Sequence, residues 1–288
     1  MRIVRNIPVT GANDRTFLLD VYYLPGRPLL GRVVFSHGFK GFKDWGHWDM
    51  LGEAFAEAGF LFARYNFSHN GTTPAAPTDF HDLEAFGNNN FSHELTDLHA
   101  TLDWLDRATG ELEGLSNQKE PFILIGHSRG GPISLIQAEE DERVGALITW
   151  ASVDSLAYAW PDQDFLDRWK QKGVYYVVNG RTGQEMPLYY QLYEDYVAAG
   201  NRFDTARAAR SLNKPWLIVH GTADPAVPEA AAHNLKSWNP GAEVVLIEGA
   251  DHVFGGSHPY DGDELPGHSR KLLEASLSFA RQALQKSP

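Results

Sequence analysis

Six short apolar runs limit what this chain can fold into. They are Arg32 to Ser36 (RVVFS), Phe60 to Phe67 (FLFARYNF), Phe122 to Ile125 (FILI), Val144 to Trp150 (VGALITW), Trp216 to Val219 (WLIV) and Glu243 to Ile247 (EVVLI). Most lack the apolar–polar alternation of a half-solvated strand, so each reads as a strand buried on both faces. Helical patterns separate them: Trp45 to Ala58, a segment that Ser92 could cap and that carries Leu95, Leu102 and Leu105, Arg129 to Gln137, Glu229 to Ser237, and Arg270 to Leu284. Buried strands alternating with helices imply βαβ units and a mainly parallel sheet covered on both faces, an α/β fold. Two β-rich segments come first, Ile3 to Val9 and Phe17 to Tyr23, joined through the turn signal Gly11-Ala12-Asn13-Asp14. Gly71 to Phe91 reads as loop.

In open parallel sheets the ligand crevice lies beyond the carboxyl ends of the strands. Those ends carry the chemistry here. Gly126-His127-Ser128-Arg129-Gly130 is G-x-S-x-G, with a strand before it and a helix after it. A serine on so sharp a turn is exposed, and glycines two positions either side relieve crowding. A serine hydroxyl is a weak nucleophile that needs a base, and the base needs an orienting acid. In this chain order the acid precedes the base. Asp224 lies in the loop after Trp216 to Val219, and His252 in the loop after Glu243 to Ile247. Asp251 is a rival acid, but as the residue next to His252 it is badly placed to reach the imidazole Nδ1, so Asp224 is preferred. Two backbone donors for an oxyanion are expected: the Arg129 N–H, after the serine, and the Phe39 N–H, in His37-Gly38-Phe39-Lys40-Gly41. The chain has no cysteine, which excludes a thiol nucleophile. His37, His127 and His220 lack tight ligand spacing, and a solvated loop is the preferred reading of His81, Asp82, Glu84 and His93, so neither a metal nor a cofactor is expected.

Together HGFKG, GHSRGG, HGTADPAVP and GADHVFGG resemble the α/β-hydrolase superfamily, over nearly the whole chain except Asp154 to about Leu212. Within it the chain is similar to the cinnamoyl/feruloyl esterase and serine-aminopeptidase-like branches. One departure is Arg129, where that esterase branch often has glutamine. The resemblance implies an α/β-hydrolase core over 1–153 and 213–288, with a lid subdomain inserted at 154–212. In the insertion, Phe165 to Gln171 reads as helix, Val174 to Val178 and Arg181 to Met186 as a hairpin around Asn179-Gly180, and Leu188 to Ala199 as a tyrosine-rich helix. Its dense aromatics suit either a substrate-lining lid or a small core and dimer contact. Trp160 and Tyr190 are the expected substrate contacts.

The expectation is a serine hydrolase of small or aromatic carboxylic esters, using Ser128, His252 and Asp224 through an acyl-enzyme. An amidase or aminopeptidase with the same triad, and a catalytically silent binding protein of this fold, stay open. Net charge is −12, which argues against nucleic acid or an anionic membrane as partner. The N-terminal stretch lacks the continuous apolar segment of a secretory leader, and no run approaches the ~18 apolar residues of a membrane span, so a cytoplasmic location is expected.

Overall fold

The computed structural model describes residues 1–108, 112–115 and 119–285; the ranges 1–153 and 213–288 read from the sequence include 109–111, 116–118 and 286–288, which lie outside the described residues. Elements follow in chain order as β1 (Arg2–Thr10), β2 (Thr16–Tyr23), β3 (Arg32–Ser36), α1 (Trp48–Glu57), β4 (Leu61–Tyr65), α2 (Leu83–Gly87), α3 (Phe91–Ala108), β5 (Phe122–His127), α4 (Gly130–Glu140) and β6 (Val144–Trp150). An excursion of α5 (Gln163–Lys172), β7 (Val174–Val178), β8 (Glu185–Tyr189), α6 (Gln191–Ala199) and α7 (Thr205–Ser211) leads to β9 (Trp216–Gly221), α8 (Ala230–Trp238), β10 (Glu243–Ile247) and α9 (Gly267–Gln285).

The main sheet has eight strands in the order β1-β2-β4-β3-β5-β6-β9-β10. β1 and β2 join antiparallel, and every pairing from β4 to β10 is parallel. The period-2 alternation of a strand explains why the apolar runs are unbroken. Val34, Leu124, Leu147 and Ile218 point into one cluster, while Val33, Phe35, Ile123, Ile125, Ile148, Leu217 and Val219 point into the other. The first cluster is closed by Leu95, Leu98 and Leu102 of α3, Ile133 and Ile136 of α4, Ala208 of α7 and Leu235 of α8. The second is closed by Leu51 and Phe55 of α1 and Leu272 and Phe279 of α9. Each fully buried Leu or Phe contributes about 1.5–3 kcal/mol, so both faces need their helices. Among the described residues no helix is long and apolar enough to cross a membrane.

Local differences from the sequence reading have physical causes. The Gly71 to Phe91 stretch contains α2, started by Asp82, whose carboxylate accepts the Ala85 N–H at 2.9 Å. α3 begins at Phe91 and its capping side chain is Asn90, which accepts the His93 N–H at 2.8 Å; Ser92 lies inside the helix. The β7–β8 hairpin is real, but Asn179-Gly180 is not its two-residue turn. The connection runs from Asn179 to Gln184, with Gly183, not Gly180, at positive φ (72°). The excursion does not carry a separate core. Trp169, Met186, Leu188 and Leu192 share one continuous cluster with Phe86 and Phe91, and α7 packs on α4 and α8.

From β3 the chain crosses to β4 on one side, and from the neighbouring β5 it crosses to β6 on the other. The loops after β3 and β5 therefore diverge, and the crevice between them is where such a sheet binds ligands.

Candidate active site

Ser128 occupies the turn between β5 and α4 at φ 54°, a region that non-glycine residues rarely adopt. The surroundings hold it there. Its N–H donates to the Trp150 carbonyl at 2.9 Å, and its carbonyl accepts the Gly131 N–H at 3.0 Å. Gly126 is required because a Cβ there would lie 2.2 Å from the Gly130 carbonyl oxygen. The result is a half-buried hydroxyl beside the amino end of α4, where unpaired N–H groups favour developing negative charge.

Asp224 follows β9 and is almost wholly buried. One carboxylate oxygen accepts the N–H groups of Ala226 (2.8 Å) and Val227 (2.9 Å); the other lies 2.8 Å from His252 Nδ1. Burial pushes this carboxyl up, but the His252 hydrogen bond and the two amides outweigh it and hold the group below the usual range. An ionised Asp224 makes His252 Nδ1 the protonated nitrogen and leaves Nε2 free as a base. Asp251 does not compete: its Oδ1 accepts the N–H groups of Val253 (3.1 Å) and Gly255 (2.8 Å) in its own loop. Two further histidines steady this pair. His127 Nε2 donates to the His252 carbonyl at 2.9 Å, and His220 Nε2 to the Val227 carbonyl at 2.9 Å. Burial lowers His127 to about 3, so it stays neutral. The Ser128 hydroxyl and the His252 ring line one cavity, with no hydrogen bond between them among the described residues. Such bonds are often long before substrate binds.

The loop after β3 comes close to the serine. A Cβ on Gly38 would stand 2.8 Å from Ser128 Cβ and 3.3 Å from its Oγ, so only glycine allows this approach. Neither the Phe39 nor the Arg129 N–H has an acceptor among the described residues. His37 shapes the loop: Nδ1 donates to the Gly38 carbonyl at 2.9 Å while Nε2 accepts the Phe67 N–H at 3.3 Å. That role needs a neutral ring, and burial lowers His37 to about 4. Farther along, Lys43 lies 2.8 Å from Asp20 and 2.7 Å from Asp44, and Arg64 pairs with the same carboxylates at 3.0 and 2.8 Å. Buried charges are tolerable only when paired in this way.

The cavity at Ser128 has a volume of about 220 Å³. Its aromatic wall is Phe39, Trp45 and Trp48, with His127 and His252 beside them, and the excursion contributes Asn179. Trp160 and Tyr190, the substrate contacts expected from the sequence, do not line it. Trp160 packs against Tyr193 (5.3 Å between centroids) and Tyr196 (4.8 Å), and Tyr190 against Trp169 (5.6 Å). Their apolar area covers the excursion's own contact with the core instead. Lys40 Nζ donates to the Val178 carbonyl at 3.0 Å and ties the hairpin to the loop after β3. A larger groove of about 670 Å³, lined by His99, Asp103, Glu140 and Asp141, contains none of Ser128, Asp224 or His252. Sequence reasoning missed Trp45, Trp48 and Asn179. The two tryptophans had a readable signal, since they follow HGFKG at the entry to α1. Asn179 had none, because its place depends on how the excursion folds back. Of the loop groups with ligand chemistry, Asp82 pairs with Arg15 at 2.6 Å, Glu84 accepts from Tyr189 at 2.6 Å, and His93 stacks on His69.

Comparison with known proteins bears on the family and the fold. Residues 33–262 match the model of the alpha/beta hydrolase family. No curated protein matches the sequence. Among solved structures, Est1E from Butyrivibrio proteoclasticus with ferulic acid bound is 19% identical, with a TM-score of 0.70 over 96% of this chain and 99% of that one. The alpha/beta hydrolase GrgF from Penicillium sp. sh18 is 16% identical, with a TM-score of 0.73 over 99% and 100%. A puromycin-hydrolyzing peptidase of Mycobacterium tuberculosis is 19% identical, with a TM-score of 0.65 over 100% of this chain and 40% of that one. At these identities the likeness is one of fold.

Proposed function

The chain belongs to the alpha/beta hydrolase family, and from that premise we propose that it is a serine hydrolase of carboxylic esters. One observation carries the reading. A serine held at φ 54° on a strand–helix turn shares a cavity with a histidine whose Nδ1 is 2.8 Å from a buried aspartate. In this reading Ser128 Oγ attacks the ester carbonyl as His252 Nε2 takes its proton. The oxyanion so formed accepts the N–H groups of Phe39 and Arg129, which have no acceptor of their own among the described residues. As the tetrahedral carbon collapses, the C–O bond to the alcohol breaks and His252 returns the proton to the leaving oxygen. Water then attacks the acyl-Ser128 by the same route, freeing the acid. Asp224 holds the tautomer throughout and stabilises the imidazolium.

The cavity supports small or aromatic acyl groups. Its volume of about 220 Å³ is below the ~300–1,000 Å³ of sites that take drug-sized ligands. Phe39, Trp45 and Trp48 offer ring faces and edges, each worth about 0.5–1.5 kcal/mol beyond area burial for a well-placed aromatic. Steady-state kinetics on phenyl acetate, methyl ferulate, p-nitrophenyl palmitate and an aminoacyl anilide test this. The expected order in kcat/KM puts the first two above the others, with Trp48→Ala eroding the preference. Higher kcat/KM on the palmitate or the anilide would overturn the substrate class.

A further inference from the structure

The two N–H groups assigned to the oxyanion belong to different loops, one after β3 and one after β5. Alignment of both depends on what keeps those loops in register. Arg129 supplies one N–H, and its side chain reaches the other loop. The guanidinium carbon lies 4.4 Å from the centroid of the Phe39 ring. Phe39 also packs on Phe86 of α2, 5.6 Å between centroids. The guanidinium itself is anchored on α3, where Nη2 donates to Glu94 Oε1 at 2.6 Å. Asn89 Nδ2 donates to the same oxygen at 2.7 Å, while Glu94 Oε2 has no partner. The pair is buried, with side-chain exposures of 9% and 2%. A buried ion pair is a poor source of stability, since apolar residues of similar volume often serve as well or better. A planar cation that must both stack on a ring and point its fork at a carboxylate is a good source of fixed geometry.

We propose that the buried Arg129–Glu94 pair is the positioning element of the oxyanion hole, with Glu94 fixing the guanidinium and the guanidinium fixing Phe39. Glu94 acts through Arg129 and touches no substrate. This inference rests on the serine hydrolase reading of the same site. It also accounts for an arginine directly after the serine: lysine could supply the charge but not the flat stacking surface or the fork.

The test is a double variant, R129M/E94L, which removes both charges together and costs the Asn89 amide its acceptor. With p-nitrophenyl acetate, kcat is expected to fall about 10–100-fold, a misaligned donor costing somewhat less than the 10²–10³ of a deleted one. KM stays within about threefold, because the pair acts where charge develops. The Ki of a trifluoromethyl ketone, whose serine adduct carries the oxyanion, rises by the same factor as kcat falls. A merely structural role would lower the urea midpoint without that parallel. E94Q, which keeps the shape of the site, is expected to show a smaller loss in the same pattern, so the test does not depend on the double variant folding. Arg129→Lys is expected not to restore wild-type kcat. Values of kcat and Ki within about twofold of wild type in both variants, or a kcat loss with no matching rise in Ki, would overturn the proposal. A wild-type protein without esterase activity would instead overturn the hydrolase reading.

Discussion

Asp224 and Asp251 both stand near His252, one through the fold and one through the chain, and only the first meets Nδ1. A carboxylate that fixes the tautomer governs whether Nε2 is a base at all. Asp224→Asn should therefore lower kcat by about 10⁴, as in the serine-protease precedent. Asp251→Asn loses only a loop contact and should stay within about tenfold. The reverse ranking in purified, folded variants would show that the wrong carboxylate has been assigned. At this scale much was legible: the order of Ser128, Asp224 and His252 along the chain, and their positions just past strand ends, follow from the motif and the apolar runs. What was not legible depends on long-range packing. Glu94 reads as one more polar residue of a helix, and His127 gives no hint that it holds the His252 carbonyl.

Elements were legible where burial is two-sided and obscure where it is local. Five of the six apolar runs became strands buried on both faces, but the sixth, β10, lies at the sheet edge with only Ile247 buried, and α2 is a single short turn of helix whose start depends on the Asp82 cap. α3 offers a quantitative check. Asn90 caps it through the His93 N–H and also donates to Gln191 of α6 at 2.8 Å. Asn90→Ala should cost about 1–2 kcal/mol, visible as a Tm lowered by about 2–6 °C, while Ser92→Ala should be near neutral. Equal effects would contradict the cap assignment. The β7–β8 connection gives another. Asn-Gly suggested a two-residue turn, but the backbone reverses over a longer loop whose positive φ falls on Gly183. Gly183→Ala should destabilise by about 1 kcal/mol in urea titrations. Gly180, with open space around its Cβ position, should accept alanine with little change.

Whole-molecule stability should carry the signature of buried neutral histidines. Burial lowers His37, His47 and His69 to about 4 and His127 to about 3, against roughly 6.5 in the unfolded chain. Between those values the unfolded state binds protons that the folded state refuses. Stability is then fully present above about pH 6.5 and is lost as pH falls toward 4, by about 1.4 kcal/mol per pH unit for each histidine titrating. Asp97, pushed up to about 7 by burial, and Glu94, also raised, work in the opposite direction. The histidines outweigh these two carboxylates, so unfolding near pH 5 takes up protons on balance. The urea midpoint should fall clearly from pH 7 to pH 5, and a flat or rising midpoint would contradict the burial of these rings. The central claim, that Ser128 is an activated nucleophile, is tested most directly by intact-mass analysis after exposure to a fluorophosphonate. The account predicts a single phosphonyl adduct on the wild type, mapped to the peptide containing Ser128, and none on Ser128→Ala. An unlabelled wild type, or an adduct that survives in Ser128→Ala, would contradict it.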